Sequence, residues 1–180
     1  VSLTIPQTQG TGLLSPHNGR RVVTEGIVTA LKFNNGFFLQ SANDDGDPAT
    51  SDAVFVFTSS APPATAAVGN RVRVTGTVEE FTPSSNPHQL AITEIVTPTV
   101  EMLETGVALP AAIELTAAEL GPDALPGTLE RLEGMRVSVA QAVVIAPSGG
   151  SLDENDALSF SDGVFHVALP GVARPFREPG

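Results

Sequence analysis

The sequence predicts a mainly β fold built on a small five-stranded barrel. Five runs rich in β-branched and aromatic residues occur before residue 97, each bounded by turn-forming residues. Two of these runs are long and carry a central glycine, Gly26 or Gly76. A glycine inside a strand marks a bulge or a tight bend. The 17 Gly and 15 Pro of the 180-residue chain also favour many turns over long helices.

The five predicted strands follow one another with short connections. They are expected at residues 21–31, 36–41, 53–58, 71–81 and 89–96. Asn34-Asn35-Gly36 predicts a hairpin between the first two. Long first and fourth strands that bend at glycine are how a five-stranded barrel turns its corners. We therefore predict an OB-like barrel over residues 20–97, after an extended lead-in over residues 1–19.

A connection with a short helix is predicted over residues 98–127. Thr116 is a candidate N-cap, and Glu119 stands three residues later, which is the spacing of a capping box. Residues 128–180 then predict a second β unit, complete or truncated. Within it the Asp162-Gly163 pair between two apolar runs is a hairpin signal.

Charge and composition exclude several classes of protein. The net charge is −11 with a pI near 4.5, which disfavours nonspecific binding to phosphate backbones. Any anionic partner is expected to meet residues 1–100, where the net charge is −3, more readily than residues 101–180, where it is −8. The chain has no Cys, so disulfides and thiolate metal sites are impossible. No apolar run approaches the roughly 18 residues of a membrane span.

The loop between the second and third strands is a candidate metal site. Asn43, Asp45 and Asp47 stand at positions i, i+2 and i+4, a spacing that can turn three side-chain oxygens onto one hard cation such as Ca²⁺. The rest of the loop does not follow the EF-hand pattern, so Asp44 or Asp52 would have to complete an irregular site. The alternative is a solvated strand connection whose Asp and Asn side chains supply turn hydrogen bonds.

The second and third strands form the face on which OB barrels bind oligonucleotides and oligosaccharides. Alternation predicts that Phe37 and Leu39 point into the core and that Phe38 and Gln40 point outward. For the third strand both orientations stay open. Outward phenylalanines would stack on bases, or else residues 98–180 would cover them.

A basic stripe is the third candidate. Alternation in the fourth strand places Arg71 and Arg73 on its outward face, where Lys32 could join them and track a phosphate backbone. The alternative is a polar strand face in which the arginines pair with Glu25 or Glu79 on neighbouring strands.

Three motifs together resemble one family. GFFLQ, DGDPATSD and VGNRVRVTGTV are similar to the OB-fold module that precedes the endonuclease/exonuclease/phosphatase domain in large secreted bacterial nucleases. The later LERLEGMRVSV also fits that family, so the resemblance covers about residues 8–145. It implies a secreted or surface-bound parent, a metal-dependent phosphodiesterase whose catalytic domain lies downstream.

The sequence contains no recognisable catalytic set. Its three histidines, His17, His88 and His166, stand away from paired acids and are interpreted as surface residues. The expected function is a noncatalytic module that assists nucleic-acid binding or positions the downstream catalytic domain. Two alternatives remain open: an architectural or calcium-stabilised spacer without its own ligand, and an oligosaccharide-binding module.

Overall fold

The computed structural model describes residues 1–32, 34–85, 87–120, 125, 127–146, 150–153, 158–161 and 166–172. The chain forms two compact units: residues 1–113 with 126–137, and residues 114–125 with 138–180. The mainly β fold predicted from the sequence is confirmed. Residues 126–137 belong with the barrel, however, so the second β unit does not begin at residue 128 as predicted.

Five strands close into a barrel in the order β1-β2-β3-β5-β4, which confirms the predicted architecture. The strands are β1 (Arg21–Lys32), β2 (Gly36–Gln40), β3 (Ala53–Phe57), β4 (Arg71–Phe81) and β5 (Ile92–Glu104). All neighbours are antiparallel except β3 and β5, which are parallel. The first of these strands pairs with β4 through its first half and with β2 through its second, so a single long strand turns one corner of the barrel.

Gly76 marks the second corner, between β4 and β5. The register of the two strands shifts between Thr75 and Thr77, and on the opposite strand Thr97 has a φ of 47°. This bulge lets β5 continue through Pro98 to Glu104, whereas the sequence predicted a strand that ends at residue 96. The predicted end was wrong, because β4 pairs with β5 as far as Glu104.

The sequence predicted an extended lead-in over residues 1–19, and this prediction was wrong. Residues 5–9 form a helix, α1 (Ile5–Gln9), capped by Thr4, whose hydroxyl accepts from the backbone of Gln7 at 3.2 Å. The Ile5 side chain is fully buried in the barrel core. It reaches the core beside Gly26, where an added Cβ would lie 2.9 Å from Ile5 Cδ1.

The barrel core consists of alternating residues from every strand. Phe37 and Leu39 are fully buried within it, as predicted. The orientation of β3, which the sequence left open, is now determined, because Val54 and Val56 join the core cluster and Phe55 lies on the outer side. The remaining strand residues in the core are Val22, Val28, Val72, Val74, Val78 and Ile95.

The smaller elements are short. They comprise β6 (Ile113–Glu114), α2 (Ala117–Leu120), β7 (Val137–Ser138), β8 (Val143–Ala146), β9 (Gly150–Asp153), β10 (Leu158–Ser161) and β11 (His166–Ala168). The predicted N-cap is confirmed, because the backbone N–H of Ala118 donates to Thr116 Oγ1 at 3.2 Å. The backbone N–H of Thr116 donates to Glu119 Oε2 at 2.9 Å, which is one half of the predicted capping box, while the N–H of Glu119 donates to the carbonyl oxygen of Thr116. No helix among the described residues is long and apolar enough to cross a membrane.

The second unit contains two separate antiparallel ladders. β10 pairs with β9, and β11 pairs with β8. The predicted hairpin turn at Asp162-Gly163 lies outside the described part of the chain, and among the described residues the strands on either side of it pair with β9 and with β8. An Asp-Gly pair signals a local turn, but which strands then pair depends on which edges are available.

We predict that Gly76→Ala destabilises the barrel by about 1–3 kcal/mol. An added Cβ would lie 2.5 Å from Ile95 Cγ2 and 2.7 Å from the carbonyl oxygen of Val96, so the corner would have to open. Urea unfolding followed by circular dichroism measures the change. Gly12→Ala is the matched control, because its Cβ would meet nothing closer than 3.7 Å. Equal stability of the two variants would contradict a close-packed corner.

Candidate functional site

The outer face of β2 and β3, where OB barrels commonly bind ligands, is covered by residues 132–136, here called the covering segment. Within this segment, the backbone N–H of Arg136 donates to Gln40 Oε1 at 3.0 Å. Gly134 lies against the Phe38 ring, since a Cβ added there would be 3.3 Å from Phe38 Cδ1. Leu132 is buried at its start. A short 3₁₀ turn over Glu130–Leu132 leads into this segment.

Glu133 anchors the covering segment to the barrel. Its carboxylate accepts from Gln9 Nε2 at 3.2 Å and from the backbone N–H of Thr93 at 3.1 Å. Its backbone oxygen accepts from Ser51 Oγ at 2.7 Å. Burial raises the pKa of Glu133 to about 7, and the nearby charge of Glu130 raises it further, while the hydrogen bond from Gln9 opposes the shift. The segment is therefore held by a carboxyl group that is partly protonated at neutral pH.

Glu80 extends this acidic centre along β4. Its Oε1 atom accepts from the backbone N–H of Ser15 at 2.7 Å and from Thr93 Oγ1 at 2.8 Å. Burial and the charge of Glu80 together raise the pKa of Glu130. Glu80 and Glu133 both accept hydrogen bonds from the N-terminal segment and from Thr93 on β5, so these bonds stabilise the packing of the unit.

Two of the predicted nucleic-acid-binding residues, Phe38 and Gln40, lie under the covering segment. Phe38 packs against Phe55 with ring centroids 5.1 Å apart and planes tilted by 49°. Gln40 is only 3% exposed, and Phe55 only 2%. Both predicted residues point outward as the sequence indicated, but the covering segment lies over them, so that Gln40 is buried and Phe38 is half-buried. This is the alternative that the sequence left open.

Arg71 and Arg73 share the outward face of β4, as predicted, and both form ion pairs. Glu25 on β1 accepts from Arg71 Nη2 and from Arg73 Nε, each at 2.9 Å, and Glu101 on β5 accepts from Arg73 Nη1 at 2.9 Å. The hydrogen bond from Arg73 is the largest influence that lowers the pKa of Glu25. Two arginines therefore face two carboxylates, and the predicted positive stripe carries no net charge here.

Lys32 stands at the far end of β1 from these arginines and lies beside a different surface. Its Nζ atom is 5.1 Å from the centroid of the Phe55 ring. It borders a groove of ≈ 560 Å³ between β3 and the ends of β4 and β5, whose lining includes Phe81, Glu79 and Glu94. Glu94 is 5% exposed, and burial, with the charge of Glu79, raises its pKa to about 7. The groove combines apolar walls with carboxyl groups, which disfavours phosphate and suits a neutral polar ligand.

The acidic loop between β2 and β3 brings three carboxylates together. One oxygen each from Asp44, Asp45 and Asp52 lies within 4.8 Å of the other two. Asp47, which the i, i+2, i+4 spacing selected, is not part of this group; its Oδ1 accepts from the backbone N–H of Ala49 at 2.9 Å. Asn43, also selected, is exposed in the same loop.

Asp52 differs from the other loop acids because it is buried. It is 5% exposed, and its Oδ1 atom accepts no hydrogen bond. Burial is the main cause that raises its pKa to about 6, and the charges of Asp45 and Asp44 add to the shift. The backbone of Asp45 and the side chain of Ser41 oppose it. Three oxygens at this spacing could hold a hard cation.

Sequence reasoning missed Glu133, Glu94 and Gln9, and it named Asp44 only as one of two residues that could complete the metal site. No local pattern distinguishes the first two from solvated glutamates, because their partners lie 40 and more residues away along the chain or on a neighbouring strand. Gln9 belongs to a helix whose start signal was present: Thr4 with Gln7 three residues later and a proline between them.

Comparisons with known proteins add little. No protein-family model matches the chain. No curated protein matches it. Among solved structures, a complex described as an OBody, AM3L15, bound to hen egg-white lysozyme is similar at 20% identity, over 54% of this chain and 89% of that chain, with a TM-score of 0.35. We draw no functional conclusion from that likeness.

We predict that Glu133→Gln stabilises the protein at pH 8 by roughly 1–3 kcal/mol relative to the parent sequence. Because the folded-state pKa is raised from 4.5 to about 7, the folded protein binds a proton that the unfolded chain releases. The associated stability is complete below about pH 4.5 and is lost as the pH rises through 7. Gln keeps an oxygen for the bonds from Gln9 and Thr93 without the charge.

Urea unfolding at pH 5 and pH 8 checks this prediction. The gain of the Gln variant should appear at pH 8 and vanish near pH 5. Glu114→Gln, at an exposed carboxylate on β6, removes the same charge and should leave the pH dependence unchanged. A similar pH dependence in the parent and the Glu133 variant would show that this carboxyl is not the group that titrates.

Proposed function

We propose that this chain is a noncatalytic OB-fold module of a secreted nuclease, and that it positions a downstream catalytic domain. The parent's class rests on the resemblance of GFFLQ, DGDPATSD and VGNRVRVTGTV described above. The observation that favours positioning over nucleic-acid binding is the covering segment, because the chain itself occupies the β2–β3 face. A partner domain, in contrast, needs a rigid body to rest against, and the closed barrel is one.

The charge distribution supports the same choice. A module that tracks a phosphate backbone gains affinity by neutralising phosphates with unpaired cations. Arg71 and Arg73 already neutralise Glu25 and Glu101. A polynucleotide that used these arginines would have to break their ion pairs and would also meet a chain of net charge −11. Each of these costs counts against nucleic acid as the primary ligand of this module.

We predict that the isolated chain does not bind a fluorescent single-stranded oligonucleotide in the micromolar range. Fluorescence anisotropy at about 50 mM and 200 mM salt measures this, because phosphate contacts make affinity fall steeply with salt. Arg71→Ala with Arg73→Ala is the matched variant and should leave the signal unchanged. Micromolar binding that weakens with salt, and that the double variant reduces, would instead assign the module to nucleic-acid binding.

The positioning role has its own test in the parent nuclease. Deleting the module should lower the melting temperature of the catalytic domain, because that domain would lose the surface against which it packs. Scanning calorimetry measures the change. An unchanged catalytic transition would leave the module without a positioning role.

Oligosaccharide binding is the second candidate, and the groove beside Lys32 favours it. OB barrels bind sugars, and sugar sites combine apolar surfaces with a few polar groups. Here Phe81 and Phe57 supply apolar surface, and Glu79 and Glu94 supply carboxyl groups. Binding of a neutral oligosaccharide would be insensitive to salt, which distinguishes it from nucleic acid in the same assay format.

A further inference from the structure

We propose that Asp44, Asp45 and Asp52 form a calcium site that joins the acidic loop to the start of β3. The proposal goes beyond the function proposed above and does not depend on it. It assigns a ligand to the acidic loop, to which the positioning role gives none.

The first observation is the convergence of the three carboxylates. One oxygen from each lies within 4.8 Å of the other two, although Asp44 and Asp45 are seven or eight residues before Asp52 in the chain. Three like charges at this separation repel one another unless a positive charge or a proton lies among them. Such a group is the donor set that a hard divalent cation requires.

The second observation is the unsatisfied oxygen of Asp52. Asp52 is only 5% exposed, yet its Oδ1 atom accepts no hydrogen bond. A buried carboxylate oxygen without a partner is costly, and native proteins normally supply one. Asp44 and Asp45, which converge on Asp52, are themselves acids and cannot donate a hydrogen bond from their carboxylates to this oxygen. A cation held jointly with Asp44 and Asp45 would satisfy it.

The two exposed aspartates are held by the turns of the loop. Asp44 Oδ1 accepts from the backbone N–H of Gly46 at 2.6 Å, and Asp45 Oδ1 accepts from that of Asp47 at 2.9 Å. Thr50 Oγ1 lies 3.2 Å from Asp45 Oδ2. The backbone thus sets the directions of both carboxylates before a cation arrives, which reduces the entropy lost on binding.

Calcium suits this site better than magnesium. Ca²⁺ accepts six to eight oxygens in irregular geometry, including carboxylates, carbonyls and water, whereas Mg²⁺ requires a nearly ideal octahedron. The cluster offers three carboxylates, two of them exposed on a loop where water can complete the shell. The amide oxygen of Asn43, in the same loop, is a further donor of the right type.

The experiment measures melting temperature and isothermal titration calorimetry with CaCl₂ and with MgCl₂, after treatment with a chelator. Loose extracellular sites bind calcium with a Kd of about 10⁻⁴–10⁻³ M, so calcium at about 10 mM should raise the melting temperature by about 3–10 °C. Magnesium should give a smaller rise. Hydrogen exchange should slow in the peptide that contains residues 41–52.

Three isosteric variants locate the site. Asp52→Asn and Asp44→Asn should each weaken calcium binding at least tenfold, and the second changes an exposed side chain whose turn bond an Asn oxygen keeps. Asp47→Asn removes the same charge from the same loop but lies outside the cluster, so it should retain the calcium response. With chelator present, Asp52→Asn should melt at or above the parent temperature at pH 8, which shows that it folds.

Two results would overturn the proposal. The parent protein could show no calcium-dependent change in melting temperature or heat at pH 8. Alternatively, all three variants could respond to calcium as the parent does, which would mean that the effect is general screening of an acidic protein. Either result leaves the positioning role untouched, because that role is tested through the catalytic domain.

Discussion

The burial of the Glu133 carboxylate against the barrel is the interaction on which the remaining arrangement depends. It accepts hydrogen bonds from α1, through Gln9, and from β5, through Thr93. A buried carboxyl is stable only when such bonds replace the lost water. Because the bonds come from two separate elements, they fix the N-terminal helix, the barrel and the covering segment relative to one another within this unit.

This arrangement also decides which surfaces are available for function. The β2–β3 face of an OB barrel is its usual ligand-binding face, but here the chain covers it with Gly134 and Arg136. Among the described residues, the groove beside Lys32 and the acidic loop are still accessible. Both contain carboxyl groups with raised pKa values, so their charge depends on pH near neutrality. The surface chemistry of the module is therefore that of an acidic protein with apolar recesses.

Much of the barrel could be predicted because strand alternation is a local property. Phe37 and Leu39 were placed in the core from a period of two alone, and the closed barrel followed from strand lengths and the glycines at 26 and 76. Pairing of Arg71 and Arg73 with Glu25 was one of two open alternatives, since sequence places all three on outward faces. The register of β1 and β4 decided between them, because it places Glu25 directly opposite Arg73. The helix at residues 5–9 was predictable from Thr4, Pro6 and Gln7 but was overlooked.

By itself the sequence determined the fold class, the inward side of β2 and β4, the N-cap at Thr116 and the presence of an acidic loop, because each depends on residues that are close along the chain. Only the tertiary structure decided that Phe38 and Gln40 are covered, that Asp44 replaces Asp47 beside Asp52, and that Glu133 is half-buried and Glu94 buried. These features depend on contacts between segments that are distant along the chain. No local pattern encodes them, because the same side chains in the same order would be solvated if the covering segment packed elsewhere.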